Sequence, residues 1–248
     1  MDALLASAAS GIRARMESLE MLANNLANQA SPGFKSDREF YSLYVASEAE
    51  DGTDPGTRPQ PPVLPVIERH WTDFAQGALT HTSNELDFAL DGRGFFEVQG
   101  PTGTLYTRNG NFRLSRTNEL ITGDGYPVLD SESKAIRLDP GAEVEVSGAG
   151  EIRQRGQTVA RFQLADFGEP GALERRAGVF FADAQSAAVR KTAAAKVIQG
   201  KLETSNQGPA EGAVRLISVM RQFESLQRAI QIGSEMNRRV DDVARIGA

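Results

Sequence analysis

Hydrophobic positions recur every three or four residues near both ends of the chain, and this spacing predicts two amphipathic helices. The first helix would span residues 3–28. The segment is rich in Ala, Leu, Met and Glu, which favour helices, and it ends before Pro32 and Gly33, which break them. Its apolar stripe consists of Leu5, Ala8, Ile12, Met16, Leu19, Leu22 and Leu26.

The second predicted helix spans residues 209–246, with Pro209 at its first position and Glu211 in its first turn. At about 1.5 Å per residue, it would be roughly 57 Å long. Its apolar positions approach a heptad repeat, which is typical of helices that pack against other helices. A seam of this length exceeds what the shorter first helix can cover, so we expect neighbouring chains to cover the rest. The seam positions are Leu216, Val219, Phe223, Leu226, Ile230, Met236, Val240 and Val243.

Between the helices, from about residue 66 to 200, short apolar runs alternate with turn sequences every 8–10 residues or so, which indicates an all-β meander or small barrel. The Gly100–Gly103 segment is expected to turn one strand back on the next. Asn109-Gly110 predicts a second tight hairpin, because a type I′ turn needs positive φ at both central residues. Residues 48–65 are rich in Pro, Gly and Asp and predict an exposed linker.

These elements predict an α+β fold, with long terminal helices that pack as a coiled-coil-like pair around a central all-β domain, a meander or small barrel. Four segments follow from the pattern. They are an N-terminal helix (residues 1–35), an extended linker region (36–75), a central β-rich domain (76–200) and a C-terminal helix (201–248).

Composition removes several classes of function. The net charge is −6 and no basic block is present, which argues against nucleic acid as a partner. The chain has no cysteine, so disulfides and thiolate metal sites are excluded. No apolar run approaches 18 residues, so we expect no membrane insertion. Asp2 stands where a secretory leader would carry positive charge, so we expect export, if any, without a cleaved signal peptide.

Candidate chemistry is sparse. Gly92-Arg-Gly94 lacks the third glycine and following helix of a phosphate-binding loop, and a tight turn is the better interpretation. The two histidines fit no metal-ligand spacing and are expected at or near the surface, and the nearby acids are expected to be solvated turn carboxylates. No serine lies in a hydrolase motif. We therefore predict no catalytic residue, cofactor or metal; the residues considered were Glu85, Asp87, Asp91, His70 and His81.

Several motifs, in order along the chain, resemble the signatures of one family. Leu22–Asn28 followed by Ser31–Lys35 is similar to the N-terminal signature of flagellar rod and hook proteins. The C-terminal signature of these proteins resembles Leu202–Asn206. The central domain signature is matched by Gln76–Thr80, Leu86–Phe96, Tyr106–Phe112 and Gly123–Pro127. The chain thus resembles flagellar basal-body rod proteins of the FlgF/FlgG type.

This resemblance implies a non-enzymatic subunit that self-assembles through its terminal helices into the axial tube that transmits motor torque, with the β-domain outside. It implies a periplasmic rod location, export by the flagellar type III apparatus, and partners that are further copies and other rod or hook subunits. Arg221–Glu224 favours a proximal-rod protein, with a distal-rod protein as the alternative. Gln207–Pro209 departs from the family pattern at the entry to the last helix.

The predicted assembly interface combines apolar stripe positions with three asparagines at the end of the first helix. Asparagine disfavours helices, so these amides are interpreted as hydrogen-bonding groups between subunits; the alternative is an Asn-rich helix stop. The predicted interface residues are Leu5, Ile12, Leu19, Leu22, Asn24, Asn25, Leu26, Asn28, Leu216, Val219, Phe223, Leu226, Ile230, Val240 and Val243.

Two other functions stay open at this point. One is a ligand-binding β-domain with helical dimerisation arms, which would form a closed dimer rather than an open helical polymer. The other is a peptidoglycan-cleaving enzyme, which would need a carboxylate of raised pKa in a cleft. No sequence feature points to such a carboxylate.

Overall fold

A computed structural model describes residues 2–45, 63–183, 190–192 and 195–246. Helix α1 spans Asp2–Ala27 and helix α2 spans Pro209–Ile246, so both predicted helices are confirmed. The chain leaves α1 through a turn at Gly33, whose φ of 68° lies in the left-handed region that glycine adopts at low cost. Among the described residues, no helix is both long enough and apolar enough to cross a bilayer.

All of the described strands lie between the two helices in the sequence, and apart from β1 and β2 they are short. In chain order they are β1 Asp37–Val45, β2 Val63–Thr72, β3 Leu79–His81, β4 Phe88–Asp91, β5 Phe95–Gly100, β6 Gly103–Thr107, β7 Phe112–Leu114, β8 Leu120–Thr122, β9 Val144–Val146, β10 Glu151–Gln154, β11 Gln157–Arg161, β12 Leu164–Phe167, β13 Glu174–Ala177, β14 Phe180–Ala182, β15 Arg190–Thr192, β16 Lys196–Gln199 and β17 Lys201–Glu203.

The chain divides into two compact units. Unit 1 comprises residues 1–26, 37–71 and 209–248, and unit 2 comprises residues 27–36 and 72–208. The predicted linker region 36–75 includes β1 and β2, which pair with each other, while residues 46–62 lie outside the described part of the chain.

Unit 2 is built from several antiparallel sheets. The largest has six strands in the order β13-β14-β6-β5-β12-β15, and a second has the order β11-β10-β9. Three two-stranded pairs complete it: β16 with β4, β17 with β3, and β7 with β8. Its main core is aromatic. Phe96 is fully buried, and its ring lies 5.3 Å from that of Phe112 and 5.4 Å from that of Phe162, at angles typical of edge-to-face contacts.

Unit 1 has a much smaller described core. Met21 and Leu22 of α1 pack with Val219 of α2, and Leu19 and Leu216 lie against this cluster. Farther along the pair, Gly11 of α1 faces Leu226 of α2. Rising numbers on one helix therefore match falling numbers on the other, so the two helices run antiparallel.

The predicted fold class is wrong. The protein is mostly β-strands in several sheets, with one helix at each end of the chain. In the described residues the helices make no long coiled-coil pair, because their shared buried core is confined to the Met21, Leu22 and Val219 cluster. The sheets do not close into a barrel either. Strands β13 and β15 are the two edges of the six-stranded sheet and do not pair with each other.

The turn predictions had different outcomes. The hairpin at Gly100–Gly103 is confirmed, since β5 and β6 pair on either side of it. The hairpin at Asn109-Gly110 is wrong: β6 pairs with β5 and β14, β7 pairs with β8, and neither residue has positive φ. Glycine is needed at 110 for a different reason. A Cβ there would lie 1.8 Å from the carbonyl oxygen of Phe88, which the backbone approaches closely.

Candidate functional site

Most of the predicted apolar interface positions of α1 and α2 are buried or half-buried. Leu22 and Val219 are buried, and Leu19 and Leu216 are half-buried against them. Further predicted positions are also half-buried, namely Ile12, Leu26, Phe223, Leu226 and Ile230. The side chains of Leu5, Val240 and Val243 lie outside the described part of the structure. Within one chain, the described apolar contacts between the two helices are those of the Val219 cluster and the approach of Leu226 to Gly11.

The three asparagines of α1 lie in different environments. Asn25 is buried and uses both ends of its amide inside the chain, because Nδ2 donates to the Asp37 carbonyl (2.8 Å) and Oδ1 accepts from the Asp37 amide (3.0 Å). Asn24 is exposed and Asn28 is half-buried. The proposed role of these asparagines between subunits stays a prediction.

The outward side of α2 exposes large apolar side chains that the seam did not include, apart from Met236. They are between 46% and 69% exposed: Val214, Ile217, Met220, Ile232 and Met236. Val214 and Ile217 line a shallow groove together with Arg221. Neighbouring exposed apolar side chains, such as Val214 and Ile217, are typical of interaction surfaces. The sequence signal for it was available, since Ile217 and Ile232 are large apolar residues without a place in the seam.

Unit 2 contains a buried cluster of three charges that the sequence did not predict. Lys35 Nζ lies 2.5 Å from Glu203 Oε1, and both side chains are 0% exposed. Arg108 Nη1 lies 3.3 Å from Glu203 Oε2. One carboxylate therefore accepts from two cations away from water, an arrangement in which every remaining polar atom must find a partner.

Backbone groups supply many of those partners. Lys35 Nζ also donates to the Ala75 carbonyl (2.7 Å), and the Gly77 amide donates to Glu203 Oε1 (2.9 Å). Arg108 Nη2 donates to the Gly92 carbonyl (2.7 Å), and its guanidinium lies 5.5 Å from the centre of the Phe95 ring. These contacts hold the charged groups in one arrangement.

Local backbone geometry brings the three charges together. The Gly33 amide donates to the Glu203 carbonyl (2.7 Å), which fixes the start of the Lys35 segment beside the end of β17. A side chain at Gly33 would not fit, because a Cβ would lie 2.3 Å from the Asn109 amide nitrogen. Gly77 allows a second close approach, since its Cβ would lie 2.0 Å from the carbonyl oxygen of Thr204.

Burial is the main influence on the electrostatics of this cluster. The pKa of Lys35 is lowered from its ordinary 10.5, because burial disfavours the charged ammonium more than Glu203 favours it. Burial lowers the pKa of the Arg108 guanidinium for the same reason, against the opposing attraction of Glu203. Lys35 and Glu203 are fully enclosed, and their charged atoms contact other groups of the chain.

The other candidates from the sequence are dispersed. Gly92 and Gly94 have positive φ and form the predicted turn between β4 and β5. Glu85, Asp91, His70 and His81 are exposed, as expected. The expectation for Asp87 is wrong: it is buried, and its Oδ1 accepts from Asn84 Nδ2 (3.1 Å) and Asn111 Nδ2 (2.8 Å). No group of three or more potential metal ligands occurs in the described part of the chain.

Comparisons with known proteins match this chain to one family. The model of the flagellar hook protein FlgE/F/G D1 domain matches residues 89–154, and that of the flagellar basal body rod FlgEFG protein C-terminal region matches residues 198–243. The flagellar basal-body rod protein FlgF of Caulobacter vibrioides is 31% identical over 231 residues, covering 92% of this chain and 91% of the relative. The chain belongs to the flagellar basal-body rod protein family, of the FlgF/FlgG type.

Relatives of both types match over most of their length. FlgF of Rhizobium meliloti is 32% identical over 211 residues, covering 84% of this chain and 83% of the relative. FlgG of Buchnera aphidicola subsp. Schizaphis graminum is 28% identical over 245 residues, covering 91% of this chain and 94% of the relative. In this rod-family chain, Arg108 and Glu203 fall within the two matched regions, while Lys35 precedes both.

Proposed function

We propose that this chain is a structural subunit of the bacterial flagellar basal-body rod, which assembles with further copies and with other rod or hook subunits through its terminal helices. The row of exposed apolar side chains on the outward side of α2 carries this proposal beyond family membership. The chain's own α1 packs on the inward face, so the outward row is left for other subunits. Contacts between two different faces generate open helical assemblies when the rotation between subunits does not close a ring.

The proposed role needs no catalysis. The relatives are named as rod proteins rather than as enzymes. The charged cluster at Lys35, Arg108 and Glu203 is buried and makes its ion pairs within the chain, which suits a structural part. We further propose a location in the periplasmic part of the basal body and delivery by the flagellar export apparatus.

Position along the rod is a finer question. The relatives include FlgF and FlgG proteins at 28–32% identity, so they do not separate a proximal from a distal place. The preference for the proximal rod that Arg221–Glu224 suggested stays a prediction.

Two experiments test the proposal. A tagged copy that complements a deletion strain should be found in purified basal bodies, within the rod. Electron microscopy of the deletion strain should show incomplete basal bodies, and the last subassembly formed identifies the subunit's place. Absence of the tagged protein from basal bodies, or complete rods in the deletion strain, would contradict the proposal.

A further inference from the structure

The polypeptide enters or leaves unit 2 at four points, after residues 26, 36, 71 and 208. Three segments of unit 2 lie next to the last three of these points. Segment 33–36 precedes the second point, segment 73–77 follows the third, and segment 203–206 precedes the fourth. These segments are far apart in sequence, and 168 residues separate Lys35 from Glu203. Nevertheless, side chains of the first and third segments bind all three segments together.

We propose that Lys35, Arg108, Glu203 and Asn206 form a junction clamp, which holds these three segments in one register, and that Glu203 is its central positioning residue. The clamp deepens the proposed rod function, on which its mechanical role rests. In a rod subunit, the clamp would transmit mechanical force between the terminal helices and the β-sheets. The force would pass through three segments that are bound to one another, rather than through separate chain segments.

The neutral half of the clamp is a closed triangle of hydrogen bonds. The Ser36 amide donates to Asn206 Oδ1 (2.8 Å), and Asn206 Nδ2 donates to the Asp73 carbonyl (2.7 Å). The Asp73 amide then donates to the Ser36 carbonyl (2.8 Å). Each of the three segments is therefore bound to both of the others.

The charged half repeats the same three-way connection. Glu203 binds Lys35 of the first segment and the Gly77 amide of the second, and Lys35 donates to the Ala75 carbonyl in that second segment. Arg108 connects Glu203 to another part of unit 2. It contacts Glu203 and donates to the Gly92 carbonyl, next to β4.

Buried charge suits a register device better than apolar packing does. Apolar side chains tolerate small slips, since their contacts have no direction. A slip of one residue in the segment of Lys35 or in that of Glu203 would leave a charged group buried without its partner, which is strongly unfavourable. A slip in the segment 73–77 would misplace the backbone groups that bind Lys35 and Glu203. The cluster thereby selects a single register, a role for which buried polar groups are best attested.

Glu203→Gln tests the clamp, because glutamine keeps the size of the side chain and removes its charge. The matched control is Glu119→Gln, which removes the ion pair of Glu119 with the exposed Arg137 in the same unit. Hydrogen exchange of the full-length protein is followed by mass spectrometry. We expect amides in all three clamp segments to exchange about tenfold faster or more in Glu203→Gln, with β5 and β6 unchanged. The control should leave the clamp segments unchanged.

The proposal is overturned if Glu203→Gln alters exchange only at residues 203–206, or if it alters none of the segments. Should Glu203→Gln fail to fold, Asn206→Ala removes the neutral half alone. It should accelerate exchange at residues 33–36 and 73–77 together, and exchange confined to residues 203–206 would then reject the clamp. Neither measurement depends on rod assembly, so failure of the clamp is distinguishable from failure of the proposed function, which basal-body localisation tests.

Discussion

The two units of the chain differ most in how much apolar surface they bury for themselves. Unit 2 contains two aromatic-rich clusters, and in the larger one the ring of Phe112 contacts the rings of both Phe88 and Phe96. In the described side chains of unit 1, the helices share one small cluster at Met21, Leu22 and Val219, while α2 exposes a row of large apolar side chains. Unit 2 thus buries most of its large apolar side chains within one chain, whereas α2 of unit 1 leaves apolar side chains exposed.

This difference indicates which interactions belong to folding and which to assembly. Burial of apolar area is the main favourable term in both processes. In unit 2 it is already satisfied within one chain. In unit 1, α2 leaves apolar side chains exposed on its outward side, which another subunit would cover in the proposed assembly.

The largest expected effect is loss of the unit 2 core in Phe96→Ala. The ring is fully buried between Phe112 and Phe162, so its removal leaves a cavity that should cost about 3–5 kcal/mol. Urea unfolding followed by a probe of β-structure measures the change. A loss below about 1 kcal/mol would show that this core does not dominate the stability of the unit.

Leu22→Ala should destabilise the helix pair by about 2 kcal/mol, the lower end for a buried leucine, because the small cluster can partly collapse around it. Limited proteolysis should then cut α1 and α2 earlier while unit 2 stays resistant. The half-buried Leu26 offers a matched control, and Leu26→Ala should change the pattern less. Equal sensitivity of unit 2 to the protease would argue that the units do not differ in this way.

Ile217→Asp should leave the isolated subunit within about 0.5 kcal/mol of the wild type, since the side chain is 52% exposed. It should nevertheless block rod formation and motility, because a charge would be buried at the proposed contact. Gln222→Asp, at a polar position lining the same groove, adds the same charge on α2 and should be tolerated better. Normal rods with Ile217→Asp would remove the outward side of α2 from the assembly surface.

The smallest effect concerns pH. The folded-state pKa of Lys35 is lowered below 10.5, so between these two values the unfolded chain binds more protons than the folded chain. The contribution of Lys35 to stability therefore rises as pH increases towards 10.5, and it falls again as pH decreases through the lowered pKa. Lys35→Met lacks this dependence. Unfolding free energies of both proteins across this range should diverge in favour of the wild type as pH rises, and a constant difference would contradict the prediction.

Local sequence was sufficient to predict features that depend on local interactions. The three-to-four spacing and Pro209 placed α2 at its observed bounds, and the Gly100–Gly103 turn placed the β5-β6 hairpin. The pairing of β16 with β4 was not predicted, because the two strands are distant in sequence: Lys196 pairs with Asp91, far earlier in the chain. Periodicity within a short window contains no information about such pairing.

The charge cluster was missed for a related reason. Lysine, arginine and glutamate are normally exposed, so Lys35, Arg108 and Glu203 carried meaning only as members of recognised motifs. Their burial depends on tertiary partners. The exposed apolar side chains on the outward side of α2 could have been predicted, because Ile217 and Ile232 do not fit the inward seam. The heptad-like spacing instead selected residues on the opposite side of the helix.

The hydrogen bond between Asn206 and Asp73 has a consequence for how such proteins can vary. Asn206 Nδ2 donates to the carbonyl oxygen of Asp73 (2.7 Å), so the stretch of chain between these residues, all of it in unit 2, starts and finishes at one place. A body whose two chain ends lie together can be enlarged, trimmed or exchanged without moving the rest of the chain, as in tolerated domain insertions. Axial subunits with bodies of different size could therefore be made with the same pair of helices by replacing only residues between Asp73 and Asn206.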